Sequence, residues 1–137
     1  MSYFAAHGYY RVSWHGDVIK VVVGDLFNRE GVEQLVAEID QLVGQRDDAG
    51  WGMLLDARQW QGGTPDAFEL WLINLEGRIR SGKLLAYAAL YAESIQVFLG
   101  GMIRDRLSPL LPYFSSPDES ACWQWLGAQG LAVGEAD

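Results

Sequence analysis

The chain is poor in the residues that most often carry chemistry. It has one cysteine, Cys122, and two histidines, His7 and His15. A single cysteine excludes an intramolecular disulfide and suits a reducing compartment. His7 falls in the N-terminal tail and His15 in a turn, so a Ser-His-Asp or Cys-His relay would have to run through one of those two. Basic residues are scarce as well: 10 Lys and Arg stand against 18 Asp and Glu, a net charge of −8. A field of that sign repels phosphate backbones and anionic membrane surfaces, so nucleic acid is not an expected partner. The longest apolar run, Leu84 to Tyr91, is far too short to span a bilayer. Met1 to Gly8 has neither the basic region nor the apolar stretch of a secretory signal. A cytoplasmic protein without an integral membrane segment is expected. No internal repeat or low-complexity tract is visible.

What the chain does have is core material. Half of its 137 residues are apolar and six are Trp. One domain of that length buries roughly two-thirds of its unfolded surface and needs no disulfide or metal staple. That domain is expected over residues 9–128, with 1–8 and 129–137 as flexible termini.

Hydrophobic periodicity sets out the elements. Tyr9 to Trp14 and Val18 to Val23 read as a β-hairpin around His15-Gly16-Asp17, an edge pair with Arg11, Ser13 and Lys20 on a wet face. Asn28 to Gly44 reads as a helix capped by Asn28, with Val32, Leu35, Val36, Ile39, Leu42 and Val43 on one face. Asp47 to Gly50 reads as a loop. Trp51 to Ala57 is a strand, Arg58 to Gly63 a loop, and Thr64-Pro65 the start of a helix with Phe68, Trp71, Leu72, Leu75 and Ile79 inward. Arg78, Arg80 and Lys83 complement its dipole, as Arg104 and Arg106 do on the next helix. Leu84 to Tyr91 is apolar on both faces and predicts a central strand. Ser94 to Leu107 reads as a helix with Ile95, Phe98, Leu99, Met102, Ile103 and Leu107 inward. Tyr113-Phe114 is a short strand. Ser116-Pro117-Asp118-Glu119 reads as a capping box for a last helix ending near Ala128. The order implies an α/β fold: one mixed, mostly parallel five-stranded sheet with an N-terminal hairpin and about four helices against it.

Two places stand out as candidate sites. The segment Asp56 to Thr64 leaves a strand and enters a helix N-terminus, where ligands of open α/β sheets sit and where free N–H groups meet anions. Gly62 and Gly63 would let a backbone approach a ligand, Thr64 would cap the helix or offer a hydroxyl, and Trp60 would be an exposed apolar anchor. The glycines and Thr64 also suit a plain turn and cap. Asp56 could act as a base, or simply pair with Arg58. The P-loop spacing and its Lys are absent, and no second carboxylate or His has the spacing of metal ligands. The second place is Gly100-Gly101, inside an otherwise strong helix. Each Gly costs about 1 kcal/mol there relative to Ala. Close packing on a neighbour, a homodimer contact and a groove for an apolar ligand would each account for the pair. Cys122, among Trp123, Trp125 and Leu126, reads as a small core residue. Trp123 and Trp125 cannot point the same way, so one is half exposed.

The element order, the strand residues Leu54-Leu55-Asp56, the Gly-containing segment before a capped helix and the closing pattern YFSSPDESACWQWL together resemble the SpoIIAA-like group of the STAS superfamily. The resemblance covers about Tyr9 to Leu126. It implies a small mixed sheet flanked by helices and a non-enzymatic role without cofactor or metal. In that family a Ser at the start of the helix after the third strand is phosphorylated to switch partner binding. Here the segment reads QGGTP: the family's Asp and Ser are replaced and Thr64 is the hydroxyl nearby. The expected function is a binding module that recognises a protein partner through the Arg58 to Thr64 loop, without the phospho-serine switch. The family's likeness to lipid-binding Sec14-type domains adds an alternative: a carrier of an apolar small molecule between the Thr64–Arg80 and Ser94–Leu107 helices, near Gly100 and Gly101.

Overall fold

Tyr9–His15 (β1) and Val18–Phe27 (β2) pair antiparallel from Tyr9↔Gly24 to His15↔Val18. The turn between them needs Gly16, whose φ is +62°. Three crossovers follow: Arg29–Val43 (α1), Trp51–Gly63 (β3), Pro65–Arg80 (α2), Leu84–Leu90 (β4), Ser94–Leu107 (α3) and Tyr113–Ser116 (β5). Glu119–Ala128 (α4) closes the domain. The computed structural model describes residues 5–46 and 49–134. The loop expected at Asp47 to Gly50 therefore lies partly outside the described residues.

The five strands stand in chain order, β1-β2-β3-β4-β5, with every pair after the hairpin parallel. Successive crossovers run one way, so α1, α2 and α3 share a face of the sheet. There Leu35, Ile39, Trp71, Leu75, Ile103 and Leu107 pack on Ile19, Met53, Leu55 and Tyr87. α4 and Leu131 beyond it cover part of the other face, where Cys122, Trp123 and Leu126 pack on Leu54, Ala88 and Leu90. β4 lies between β3 and β5, an interior strand as its two-sided apolar run predicts, although β3 is the middle strand. Asn28 caps α1 as expected, its Oδ1 accepting from the Gly31 N–H at 2.9 Å. Among the described residues no helix is long and apolar enough to cross a membrane.

Several expectations are corrected. β2 and β3 run past Val23 and Ala57 and stay paired to Phe27↔Gly63, through register shifts at Val22/Gly24 and Asp25/Leu26. Arg58 to Gly63 is thus strand, not loop: a bulged partner supplies its backbone with bonds that its polar, Gly-containing sequence did not promise. The α4 cap is Asp118, which accepts from the Ser120 N–H, while Ser116 ends β5 and accepts from the Asp118 N–H. Lys20 is not on a wet face; it is buried because Glu119 of α4 meets its Nζ at 3.0 Å. The described parts of the termini expected to be flexible are held. The His7 N–H donates to Asn28 Oδ1, and the Asp17 N–H donates to Ala132 O at 2.7 Å. Leu131 is buried.

Candidate docking surface

The segment from Asp56 to Thr64 does not form an open site. Trp60, expected as an exposed anchor, is 8 % exposed and lies against Phe68 with ring centroids 5.4 Å apart. Strand geometry turns it under α2. Asp56 is the paired carboxylate, not a free base. Arg58 Nε donates to its Oδ1 at 3.0 Å and Nη2 to its Oδ2 at 2.7 Å. Burial pushes the Asp56 carboxyl up, but the fork from Arg58 outweighs it and holds the group below the usual range. Arg58 also reaches Glu119 at 3.2 Å, so Asp56, Arg58, Glu119 and Lys20 form one neutral network on the α4 face. Gly63 sits close to Phe27 and Ala67. Thr64 is the N-cap residue of α2, yet its hydroxyl does not cap the helix; it donates to Asp66 Oδ1 at 2.6 Å.

The opening appears elsewhere, on α3. The inward set expected there was Ile95, Phe98, Leu99, Met102, Ile103 and Leu107. Ile103 and Leu107 are buried and Leu99 is half-buried, but Ile95 (56 %), Phe98 (71 %) and Met102 (49 %) face water, with Val97 beside them. The inner face carries Gln96 and Gly100 instead. Two contacts set this rotation. A Cβ on Gly100 would overlap the Tyr91 phenol, so only glycine lets the helix lie on that ring. Gln96 Nε2 donates to Arg58 O at 2.6 Å and to Trp60 O at 3.2 Å, while its Oε1 accepts from the Ala92 and Glu93 N–H groups. Gln96 thus locks the first turn of α3 to β3 and completes a capping box with Glu93. Sequence reading missed it; the Glu93-x-x-Gln96 spacing was the available signal.

A second element extends the apolar patch. At the β2 bulge, Asp25 has φ +63°, a strained value for a non-glycine residue, and Leu26 beside it is 52 % exposed. Gly62 lies between Leu26 and Leu99: a Cβ there would sit 3.2 Å from Leu99 Cδ1 and 3.9 Å from Leu26 Cδ1. Gly62 and Gly100 therefore both serve the seating of α3. Gly101 does not; a Cβ on it would meet only the Arg104 guanidinium, at 3.6 Å.

Beneath the three helices is an apolar cavity of about 40 Å³, lined by residues that include Phe27, Leu35, Leu55, Trp60, Phe68 and Ile103. A shallow groove of about 520 Å³ lies at the carboxyl ends of β4 and β5, between Val97 and Ser116. The Glu93 and Asp118 carboxylates already take the helix N-terminal N–H groups beside it, which leaves little for an anion. Among the described residues no group of His, Cys, Asp and Glu could hold a metal ion.

No protein-family model matches the chain, and no curated protein matches it. Among solved structures it is similar to an uncharacterized protein of the DUF3478 family with a SpoIIAA-like fold from Shewanella loihica PV-4. That match has a TM-score of 0.64 at 12 % identity, and covers 92 % of this chain and 98 % of the other. The expected SpoIIAA-like fold is therefore shown. A likeness at that identity speaks for the fold alone.

Proposed function

We propose that this SpoIIAA-like domain is a non-enzymatic binding module that recognises a protein partner through the outward face of α3. Phe98 carries the reading. It is 71 % exposed at the crest of the helix, between Ile95 and Met102. Burying a Phe side chain is worth about 1.5–3 kcal/mol, a gain this residue largely forgoes in the free chain. Aromatic anchors on a rigid element are what interface cores are built from. The carboxylates nearest to catalytic placement, Asp56 and Glu119, are engaged by Arg58 and Lys20, which supports a role without chemistry.

A photo-crosslinking residue in place of Met102, followed by mass spectrometry of the adducts, tests this. A discrete protein adduct that disappears when Phe98→Asp is added is expected. Adducts indifferent to Phe98→Asp would remove α3 as the docking surface.

The cavity favours one other reading, a carrier of an apolar small molecule. At about 40 Å³ the cavity holds nothing much larger than a water-sized group. A carrier role thus requires α2 and α3 to part. Native mass spectrometry of the purified protein decides it: a retained lipid-like mass supports a carrier, and an empty chain counts against one.

A further inference from the structure

Gly100 and Gly101 are adjacent in α3, yet only one of them has a reason inside the chain. Gly100 makes room for Tyr91, whereas a side chain on Gly101 would enter open space beside the Arg104 guanidinium. A glycine inside a helix is destabilising relative to alanine, because it orders more backbone freedom and buries nothing. Next to it stands Phe98, at 71 % the most exposed of the exposed large apolar side chains among the described residues. We propose that α3 pairs antiparallel with α3 of a second copy of this chain, the Phe98 ring of each protomer seated on the Gly101 backbone of the other. This rests on the reading of α3 as the docking surface and names what occupies it.

The pattern on the helix is self-complementary. Ser94, Phe98, Gly101 and Asp105 follow one another at spacings of four, three and four, the spacing of a helix–helix seam. They lie on the side away from the buried Gln96, Gly100, Ile103 and Leu107. Around a two-fold axis, antiparallel helices match Phe98 with Gly101 and Ser94 with Asp105. The large residue then meets the residue without a side chain. The Asp105 carboxylate, 74 % exposed and within 3.2 Å of the Arg104 guanidinium in the free chain, then lies beside the partner's Ser94, whose hydroxyl can donate to it. A parallel pair would set Phe98 on Phe98 and Asp105 on Asp105, crowding in one place and repelling in the other. Ile95, Val97 and Met102 flank the seam and leave water with it. One patch used by both copies closes the assembly at two.

The size of the contact limits its strength. A single helix pair of this length buries less than the roughly 800 Å² per partner of a standard interface, so association in the micromolar range or weaker is expected. Two copies that each carry a charge of −8 repel, so added salt favours the pair.

Sedimentation of the full chain from low micromolar to near-millimolar concentration tests the proposal. The weight-average mass should climb toward a dimer, and climb further in high salt. Gly101→Leu and Phe98→Asp should each hold the protein monomeric with the melting transition kept. A Cβ at Gly101 meets only the far end of the flexible Arg104 side chain, at 3.6 Å, so Gly101→Leu is expected to keep the fold. The double variant Ser94→Cys with Asp105→Cys should oxidise to a covalent dimer, and each single variant should not. A chain monomeric at every concentration, or a dimer that survives Gly101→Leu, overturns the pairing. If the chain is monomeric while Phe98→Asp still abolishes crosslinking to another protein, self-pairing fails and the docking surface stands. If Phe98→Asp alters neither, both fail.

Discussion

Tyr91 and Gly100 occupy one volume: a Cβ on Gly100 would sit 2.7 Å from Tyr91 Cε2 and overlap the phenol Cζ and oxygen. The ring is buried and cannot swing into water. Gly100→Ala is therefore expected to destabilise the fold by about 1–3 kcal/mol, the cost of overpacking. Gly101→Ala, measured below the concentration of any self-association, should instead stabilise it by up to about 1 kcal/mol. Urea unfolding of the two variants checks the pair. Shifts of the same sign would mean that α3 is seated by something other than Tyr91.

Lys20 is 5 % exposed and its Nζ has the Glu119 carboxylate at 3.0 Å. Glu119 also accepts from Trp123 Nε1 and Arg58 Nη2. Removing one partner of a fully buried pair costs about 3–5 kcal/mol, because the other charge is left stranded. The Glu119 side chain keeps 22 % exposure, so Glu119→Gln should cost less than that range, on the order of 2 kcal/mol. Lys20→Met should cost less still, since it removes the buried charge itself. Comparative denaturation settles the order.

The same network sets an acid limit. Burial pushes the Glu119 carboxyl up, but the Trp123 and Lys20 bonds prevail and hold it below its ordinary 4.5. Asp56 is likewise held below 3.8 by Arg58, against its burial. A carboxyl depressed in the folded state binds fewer protons folded than unfolded. Its stabilisation is thus complete above the ordinary carboxyl value and is lost as pH falls through the lower folded value. Wild-type stability should fall from about pH 4.5 downward, and the Glu119→Gln variant should fall less steeply. Denaturation curves from pH 7 to 3 test the slope.

Trp60 belongs to the core that α2 covers, against Phe68 and at the edge of the apolar cavity. Trp60→Ala should lose about 3–5 kcal/mol and lower the melting temperature sharply. It should leave crosslinking from position 102 intact in whatever fraction remains folded. A fully stable Trp60→Ala protein would show that this ring is not buried in solution.

Cys122 is fully buried on α4, with Sγ 3.7 Å from Ala89 O, and burial pushes its thiol up to about 11. Such a thiol is neither ionised nor reachable near neutral pH. Its modification by a thiol reagent should be slow in the native protein and follow the unfolding rate as urea is added. Rapid labelling without denaturant would place α4 away from the sheet.

Much of the fold was legible because it depends on local pattern. Asn28 sits where a cap is needed, Leu84 to Leu90 lacks a polar face and so lies between two other strands, and the order of elements leaves few topologies open. The site was not legible, for reasons that particular residues make plain. α3 has apolar residues on nearly every side, so periodicity cannot say which side goes in. Tyr91, from another element, decides it. The Gln59-Trp60-Gln61-Gly62-Gly63 run reads as loop because its partner is a bulged strand whose Asp25 adopts a positive φ, a choice invisible in composition. On such a loop Trp60 would face water, whereas strand pairing turns it inward. Gly100 and Gly101 were one feature in the sequence and are two in space.

The strands lie in the sheet in the order in which they are made. Each new strand can dock on the last one as it leaves the ribosome, with only a single crossover to close each time, and such local additions carry a small entropic barrier. Some bonds among the described residues break this pattern. Lys20 waits for Glu119, 99 residues later, and the Asp17 carboxylate waits for the Ala132 N–H, 115 residues later. Until α4 emerges, Leu54, Ala86, Ala88 and Leu90 present an uncovered apolar sheet face and Lys20 lacks the Glu119 carboxylate. The nascent domain is thus exposed to aggregation until α4 is made, and α4 is the piece that ends that exposure.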